Sequence, residues 1–345
     1  MLILCVLILT EGAVSAVLYF RPDVYIRLMQ ANGFVEGDAN CFEAENEDED
    51  RTLENGIRFT GNISYESRYP NGFLDLYRTS SGDSGEAPLF FYIHGGGYVG
   101  GDKAEGDPAA ASSDIEDTTR YLQQICMSGY NVDSISYALA PDYNYPVPVL
   151  QIDEAVRFLV ENQDTYGIDM SHVVFSGGSA GGQLAGQYVN IQTNEEYAEQ
   201  MGMEQTLGTE GVLGIVLNSA LLEPANFART DSFTNNFMFF EMRQQYFSGD
   251  SGIMEEADVI KNLSADFPPA YITDGNYGTF DRQAARLDQR LDELGGYHIF
   301  NYYDRCTAEL PHGYDSYLDN EYAQENLDKT LDFLQKLKEG TGQTG

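Results

Sequence analysis

Tryptophan is absent from this chain and basic residues are scarce. The 345 residues include 19 lysines and arginines against 55 aspartates and glutamates, which gives a net charge of −36. A chain with this excess of negative charge repels polyanions. We therefore expect no nucleic-acid partner and no attraction to anionic membrane surfaces. Strongly anionic substrates are also disfavoured, because no basic patch lies near the motifs described below.

Cysteines are also few, and their spacing is not that of a metal site. Cys5, Cys41, Cys126 and Cys306 are isolated from one another. If the first segment is cleaved, three remain, and this odd number does not indicate a disulfide framework. We predict incidental or buried thiols and no metal site.

Long hydrophobic runs are confined to residues 1–20. Leu2 to Leu9 is apolar, Glu11 and Gly12 interrupt the run, and no lysine or arginine precedes it. The segment is marginal both for a signal peptide and for a membrane-spanning helix. The alternatives are therefore a leader or anchor, with export or membrane contact through residues 1–20, and a helix packed on the domain of a cytoplasmic protein.

The rest of the chain divides into two parts. Residues 21–54 are interpreted as an N-terminal helix and an acidic linker, because carboxylates crowd the range 43–50. Residues 55–340 form one domain in which apolar strands alternate with amphipathic helices. This alternation predicts an α/β fold with a mostly parallel, doubly wound sheet. An antiparallel pair at 63–65 and 73–77 precedes the strands at 89–93, 132–137, 173–176, 212–217, 270–273 and 297–302.

The most informative residue is Ser179. It lies in Gly177-Gly178-Ser179-Ala180-Gly181-Gly182, directly after the apolar run 173–175. A strand that ends in G-x-S-x-G and turns at once into a helix is a nucleophile elbow, which presents the serine hydroxyl above a sheet. The first N–H groups of the new helix then point toward an oxyanion formed beside Ser179.

A second motif strengthens this interpretation. The apolar run 90–93 leads into His94-Gly95-Gly96-Gly97. This pattern is typical of the loop whose backbone N–H groups line an oxyanion hole. Each motif follows its own predicted strand, so together they predict a serine hydrolase.

The chain contains four histidines, and these are the candidates for the general base. His94 belongs to the glycine-rich loop, and His172 and His298 are interpreted as structural. His312 remains, after the last predicted strand and before the last helix. The order serine, acid, histidine is that of α/β-hydrolases, and it favours His312 as base.

The acid has two candidates after the strand at 270–273. Asp274 closes that strand, and Asp281 opens the next helix, where it could equally be an N-cap. Either carboxylate, another one, or a serine–histidine pair without an acid is compatible with triad logic.

Three segments resemble the hormone-sensitive-lipase-like group of α/β-hydrolases: 94–97, 177–182 and Tyr137-Ala138-Leu139-Ala140-Pro141-Asp142. The resemblance implies an α/β-hydrolase fold with a helical cap, no cofactor, Ser179 as nucleophile and His312 as base. It also implies an oxyanion hole formed by the N–H groups of Gly95, Gly96 and Ala180. One departure matters: Gly278 stands where the group carries its catalytic aspartate.

We therefore predict a carboxylesterase or lipase that cleaves small esters of short or medium acyl chains through an acyl-enzyme. The alternatives are an amide or formamide hydrolase, and a hydrolase-like binding protein that lost activity with its acid. An insertion at about 221–267, rich in Phe and Met, is interpreted either as a lid over the site or as ordinary core.

Overall fold

The computed structural model describes residues 21–34, 39–42, 44, 48–79, 87–103 and 115–340. The predictions for residues 1–20 lie outside the described residues. Among the described residues, none of the helices combines the length and the hydrophobicity that a membrane-spanning segment requires.

A nine-stranded sheet forms the centre of the described part, in the order β1-β2-β3-β5-β4-β6-β7-β8-β9. The strands are β1 (Glu49–Thr52), β2 (Arg58–Ser64), β3 (Phe73–Arg78), β4 (Pro88–Ile93), β5 (Asn131–Ile135), β6 (Asp169–Gly178), β7 (Val212–Asn218), β8 (Ala270–Asp274) and β9 (His298–Tyr302). In this spatial order, neighbouring strands pair antiparallel from β1 to β5. The other six-strand part of the sheet is parallel, and it consists of β5, β4, β6, β7, β8 and β9. The predicted mostly parallel sheet is confirmed.

Helices cover both faces of this sheet. They are α1 (Pro22–Met29), α2 (Ile115–Met127), α3 (Val147–Tyr166), α4 (Ala180–Thr193), α5 (Glu195–Met201), α6 (Gly208–Gly211), α7 (Phe233–Tyr246), α8 (Ser251–Glu256), α9 (Asp281–Leu294) and α10 (Glu321–Lys338), with short turns at Gln30–Phe34, Pro224–Asn226 and Tyr314–Ser316. The strand order changes direction at β4, because β5 lies on one side of it and β6 on the other. Doubly wound folds bind ligands at such a point.

Two apolar layers hold the helices to the sheet. On one face Ile152, Val156 and Leu159 of α3 pack against the strands, and on the other Leu327 and Leu334 of α10 do so. The 3.6-residue spacing in both helices places these side chains on a single side. Each fully buried aliphatic side chain contributes about 1.5–3 kcal/mol, so these layers fix the strand ends that carry the site.

The acidic linker differs from its prediction. Glu49–Thr52 pairs with β2 as edge strand β1, so the sheet begins before residue 55. Asp50 accepts hydrogen bonds from Thr60 Oγ1 at 3.0 Å and from the guanidinium of Arg78 at 2.9 Å. A carboxylate with two such partners is held on the sheet edge, whereas the sequence pattern of like charges indicates only a solvated segment.

The N-terminal helix α1 is fastened to the domain close to the predicted oxyanion loop. The Gln30 side chain just after it donates to the carbonyls of Val99 and Ala140, at 2.8 and 2.9 Å. The ring of Tyr25 in α1 packs edge-on against Phe237 of α7 at 5.4 Å. Residues 21–34 therefore brace both this loop and the insertion.

The insertion between β7 and β8 forms α7 and α8. Met242 of α7 lies so close to Gly97 that a side chain at Gly97 would collide with its sulfur. The insertion therefore covers the loop that follows β4. The cap boundaries at 221 and 267 stay a prediction.

A buried carboxyl in β5 has a consequence for stability. Asp133 is fully buried, and neither of its oxygens has a hydrogen-bond partner among the described residues. Burial raises the pKa of Asp133 well above its usual range. Since the folded-state pKa exceeds the unfolded value, this group favours the folded state most at low pH, and the benefit is lost as pH rises toward the folded-state pKa.

We expect Asp133→Asn, which cannot ionise, to remove that pH dependence. The free energy of unfolding of the variant relative to wild type should increase by up to about 1.4 kcal/mol per pH unit above about pH 4. Urea titrations between pH 4 and 8 measure this, with the exposed Asp164→Asn as matched control. A constant difference across this range would contradict the expectation.

Candidate functional site

The chain turns sharply at the end of β6. Ser179 has φ 53° and ψ −117°, a backbone conformation that costs about 1–3 kcal/mol for a residue with a side chain. Its N–H donates to the carbonyl of Asn218 at 3.0 Å, and its carbonyl accepts from Leu221 N–H at 3.0 Å. A Cβ on Gly177 would lie 2.4 Å from the backbone of Gly181, so only glycine permits this turn. The predicted elbow is present.

The loop after β4 lies directly beside the elbow. A Cβ on Gly95 would lie 2.9 Å from the Gly178 carbonyl oxygen and 3.4 Å from Ser179 Cβ. Gly96 has φ +89°, and its carbonyl accepts from Val99 and Gly100 at 3.1 Å. Among the described residues, no acceptor takes the N–H of Gly95 or Gly96. The structure thus brings Gly95 and Gly96 together with Ser179 and with Ala180, the first residue of α4.

Two tyrosines hold this loop in place. Tyr137 stacks on the His94 ring at 4.1 Å, and its hydroxyl donates to the His94 carbonyl at 2.8 Å. Tyr98 donates to Gln183 of α4 at 2.9 Å and stacks on Tyr246 of α7. His94 Nδ1 donates to the Gly95 carbonyl at 2.9 Å, and burial lowers the pKa of His94 to about 4. A neutral His94 therefore helps to hold the shape of this loop.

His312 lies next to the serine. Its Nε2 is 3.0 Å from Ser179 Oγ. The rings of Phe239 and Phe280 meet the imidazole edge-on at 5.5 and 5.0 Å. Burial among these groups lowers the pKa of His312 to about 4. The ring is therefore neutral near pH 7 and available to accept a proton.

The other nitrogen of His312 meets a hydroxyl. Its Nδ1 is 2.9 Å from Thr279 Oγ1. The Thr279 hydroxyl makes a very short hydrogen bond to Asp274 Oδ1, which also accepts from Gly275 N–H at 2.7 Å. Of the two predicted aspartates, the structure connects Asp274 to His312, through one intervening side chain.

Asp274 is fully buried at the end of β8. Burial raises the pKa of Asp274 well above its usual range, and the nearby charge of Asp315 adds to the rise. Asp315 is itself buried; it accepts from Ser219 Oγ at 2.8 Å, and its pKa is raised to about 6, mainly by burial. Ser219 Oγ accepts in turn from Gly313 N–H at 3.1 Å, which anchors the loop that carries His312.

Asp281 occupies a different place. It is the first residue of α9, and Phe280 holds the N-cap position. Partial burial raises the pKa of Asp281, while hydrogen bonds to Arg282 N–H and Tyr302 act against that rise. Among the described residues, no hydrogen bond or ion pair joins Asp281 to His312.

Gly278, which stands where the related group carries its acid, is held by the insertion. Its N–H donates to Asp231 Oδ1 at 2.6 Å, and its carbonyl accepts from Asn235 Nδ2 at 2.8 Å. It has φ +63°, and a Cβ there would point at Asn235. The departure seen in the sequence therefore coincides with a contact to α7.

The remaining histidines, His172 and His298, make other contacts. His172 is exposed beside Asp169, and His298 donates from Nδ1 to the Gly296 carbonyl. Within the described part, one group could hold a cation, formed by Asp288, Asp292 and His298 with ligand atoms within 4.8 Å of one another. It lies on α9 and edge strand β9, apart from Ser179.

The sequence interpretation missed Thr279, Ser219 and Asp315. Thr279 directly follows the glycine that replaces the related acid, and this adjacency is the one signal that points to it. Ser219 and Asp315 carry no motif, because their meeting depends on how β7 and the His312 loop pack together.

A family model described as BD-FAE matches residues 74–280, more than half of the chain. The chain belongs to the BD-FAE family. The matched range contains the glycine-rich loop, the elbow and Thr279, and the predicted membership of the hormone-sensitive-lipase-like group is confirmed.

Individual relatives of this BD-FAE member match over shorter ranges. Esterase LipI of Mycobacterium tuberculosis is 34% identical over 103 residues, 30% of this chain and 29% of the relative. Ethyl acetate hydrolase of Pseudomonas putida is 36% identical over 112 residues, 32% of this chain and 31% of the relative. The chain thus matches about a third or less of the length of these curated relatives.

Solved structures establish the fold. The crystal structure of esterase B from Lactobacillus rhamnosis superposes with a TM-score of 0.68 at 21% identity, covering 86% of this chain and 91% of that chain. The predicted α/β-hydrolase fold is confirmed.

Proposed function

We propose that the protein is a serine carboxylesterase that cleaves small neutral esters through an acyl-enzyme. The observation that carries this proposal is the 3.0 Å contact between His312 Nε2 and Ser179 Oγ at a strained elbow. Family membership and the names of the relatives support the same activity.

In the first step Ser179 Oγ attacks the ester carbonyl carbon while His312 Nε2 takes the hydroxyl proton. Negative charge then develops on the carbonyl oxygen. The N–H groups of Gly95, Gly96 and Ala180 surround the space beside Ser179, and such preorganised donors stabilise this charge more in the transition state than in the ground state. His312 gives its proton to the leaving alcohol, and the acyl group stays on Ser179.

In the second step water replaces the alcohol. His312, neutral again, takes a proton from the water as its oxygen attacks the acyl carbon, and then returns that proton to Ser179. The carboxylic acid leaves and the enzyme is restored. Asp274 is proposed as the carboxylate that stabilises the imidazolium formed in both steps, since Thr279 connects it to His312, whereas Asp281 makes no hydrogen bond or ion pair with His312 among the described residues.

Two observations restrict the substrate. The net charge of −36 disfavours anionic esters by long-range repulsion. The rings of Phe227, Phe239 and Phe280 pack on one another beside His312, which favours an apolar acyl group. One relative is named for an acetate ester, and this supports short acyl chains.

Steady-state kinetics test the proposal. We expect kcat/KM for p-nitrophenyl acetate and butyrate to exceed that for p-nitroacetanilide by at least about 100-fold, because an anilide is the poorer leaving group. A carboxylated ester should react more slowly than its neutral counterpart, and added salt should narrow that gap. Faster cleavage of the anilide would favour an amidase, and no turnover of any of them would favour a binding protein.

A further inference from the structure

The group that meets His312 Nδ1 is a hydroxyl, whereas a triad of the usual kind places a carboxylate there. Thr279 Oγ1 lies 2.9 Å from Nδ1 and also bonds to Asp274. Thr279 is 3% exposed and Asp274 is fully buried, so water does not compete for these contacts. The properties of a hydroxyl therefore decide what His312 experiences.

A hydroxyl has one proton to donate and lone pairs with which to accept. When Asp274 is ionised it can only accept, so Thr279 donates its proton to Asp274. Thr279 then offers a lone pair to His312, and Nδ1 must carry the hydrogen. This leaves the Nε2 lone pair facing Ser179 Oγ, which is the tautomer that a base requires.

When Asp274 is protonated, the direction can reverse. The carboxyl donates to Thr279, and Thr279 donates to a bare Nδ1. The hydrogen of a neutral His312 is then on Nε2, where it blocks acceptance of the serine proton. Protonation of Asp274, rotation of the Thr279 hydroxyl and relocation of the imidazole hydrogen from Nδ1 to Nε2 by exchange with solvent together convert a competent site into an incompetent one.

We propose that Thr279 is a positioning residue that transmits the ionisation of Asp274 to the tautomer of His312. This inference rests on the proposed function, since it assigns Thr279 a part in the same reaction. The Gly275 N–H favours the ionised carboxylate by donating to the oxygen that Thr279 also contacts. The competent direction is therefore supported by a fixed backbone donor.

The place of the carboxylate follows from the insertion. The position at which the related group carries an acid is Gly278, whose backbone binds Asp231 and Asn235. A side chain at Gly278 would point toward Asn235 and Ser232 of the insertion. The carboxylate of Asp274, four residues earlier at the end of β8, connects to His312 through a bridging hydroxyl, which Thr279 supplies.

The charges around Asp274 come from three further elements. Asp315 follows the His312 loop, Asp281 begins α9, and Tyr302 ends β9. Ser219 Oγ donates to Asp315 Oδ1, and its proximity to Asp274 acts against the rise in the pKa of Asp274 that burial causes. Within the described part, no lysine or arginine pairs with Asp274, so these carboxyls and burial together oppose its ionisation.

The test compares Thr279→Val, which keeps the shape and removes the hydroxyl, with Thr279→Ser, which keeps the hydroxyl. Asp281→Asn serves as matched control for loss of a nearby carboxylate. We expect Thr279→Val to lower kcat for p-nitrophenyl acetate by about 100-fold with KM within about threefold of wild type. Thr279→Ser and Asp281→Asn should stay within about fivefold.

The pH profile separates positioning from a structural role. In wild type, kcat/KM should fall as the pH drops through the raised pKa of Asp274, while His312, whose pKa is about 4, is still neutral. In Thr279→Val the remaining activity should lose this dependence, and its acid limb should move down toward that of His312. An acid limb at the same pH in both proteins would overturn the inference.

A readout without turnover keeps the inference distinct from the proposed function. Nitrogen-15 NMR of labelled histidine reports which ring nitrogen is protonated, and His312→Ala identifies the His312 signals by their loss. We expect His312 to carry its hydrogen on Nδ1 near pH 8 in wild type and Thr279→Ser, and to show a mixture of tautomers in Thr279→Val. An unchanged Nδ1–H form in Thr279→Val would overturn the inference even if the protein is an esterase. Absence of ester turnover in wild type would overturn only the proposed function.

Discussion

Replacing Ser179 by alanine should abolish ester turnover, with kcat falling by about 10⁴-fold to 10⁶-fold. The hydroxyl is the attacking atom, and its 3.0 Å contact to His312 Nε2 is the path for its proton. Without Oγ no acyl-enzyme forms, so only the slow attack of water assisted by the oxyanion donors remains. Steady-state rates with p-nitrophenyl acetate measure the loss.

The matched control for this change is Ser176→Ala in β6, the strand that leads into the elbow. Ser176 is fully buried, whereas Ser179 is partly exposed, and the Ser176 hydroxyl has no hydrogen-bond partner among the described residues. We expect it to retain activity within about threefold, and both variants to keep the wild-type melting temperature within a few degrees. If Ser179→Ala kept more than about a tenth of the activity, the assignment of the nucleophile would fail.

Replacing His312 by alanine should have a comparable effect, about 10⁴-fold or more in kcat. Serine at neutral pH is a weak nucleophile, and His312 is the one described histidine whose ring contacts Ser179 Oγ. Because the two residues act as one unit, the double variant Ser179→Ala, His312→Ala should be little worse than either single variant.

The chain supplies its own histidine controls for that result. His172 is exposed in β6, and His298 lies on edge strand β9 beside Asp288. We expect His172→Ala and His298→Ala to keep kcat/KM within about threefold of wild type. A loss in either control as large as that in His312→Ala would show that the effect is not specific to proton transfer.

Much of the fold was predictable because it depends on local patterns. Short apolar runs located the six parallel strands. The glycines around Ser179 located the elbow, where a side chain at Gly177 or Gly181 would collide with neighbouring backbone. The positions of Ser179 and His312 follow from strand order, because the carboxyl ends of parallel strands share one edge of the sheet.

The acid side of the site was only partly predictable, because it depends on contacts between distant segments. The sequence left Asp274 and Asp281 as alternatives, since both follow the same strand. What separates them is the Thr279 hydroxyl and the way the insertion binds Gly278 through Asp231, and neither has a sequence pattern. Edge strand β1 escaped prediction for a related reason, since its carboxylate partners Arg78 across the sheet.

Labelling of the full chain with a fluorophosphonate probe, followed by mass mapping of the modified residue, shows whether Ser179 is an activated nucleophile. Such a probe reacts with an activated serine and mimics the tetrahedral intermediate at the oxyanion donors. We predict one equivalent of label on Ser179 in wild type, and none in Ser179→Ala. Folded wild-type protein that stays unlabelled, or label on a different serine, would contradict the account.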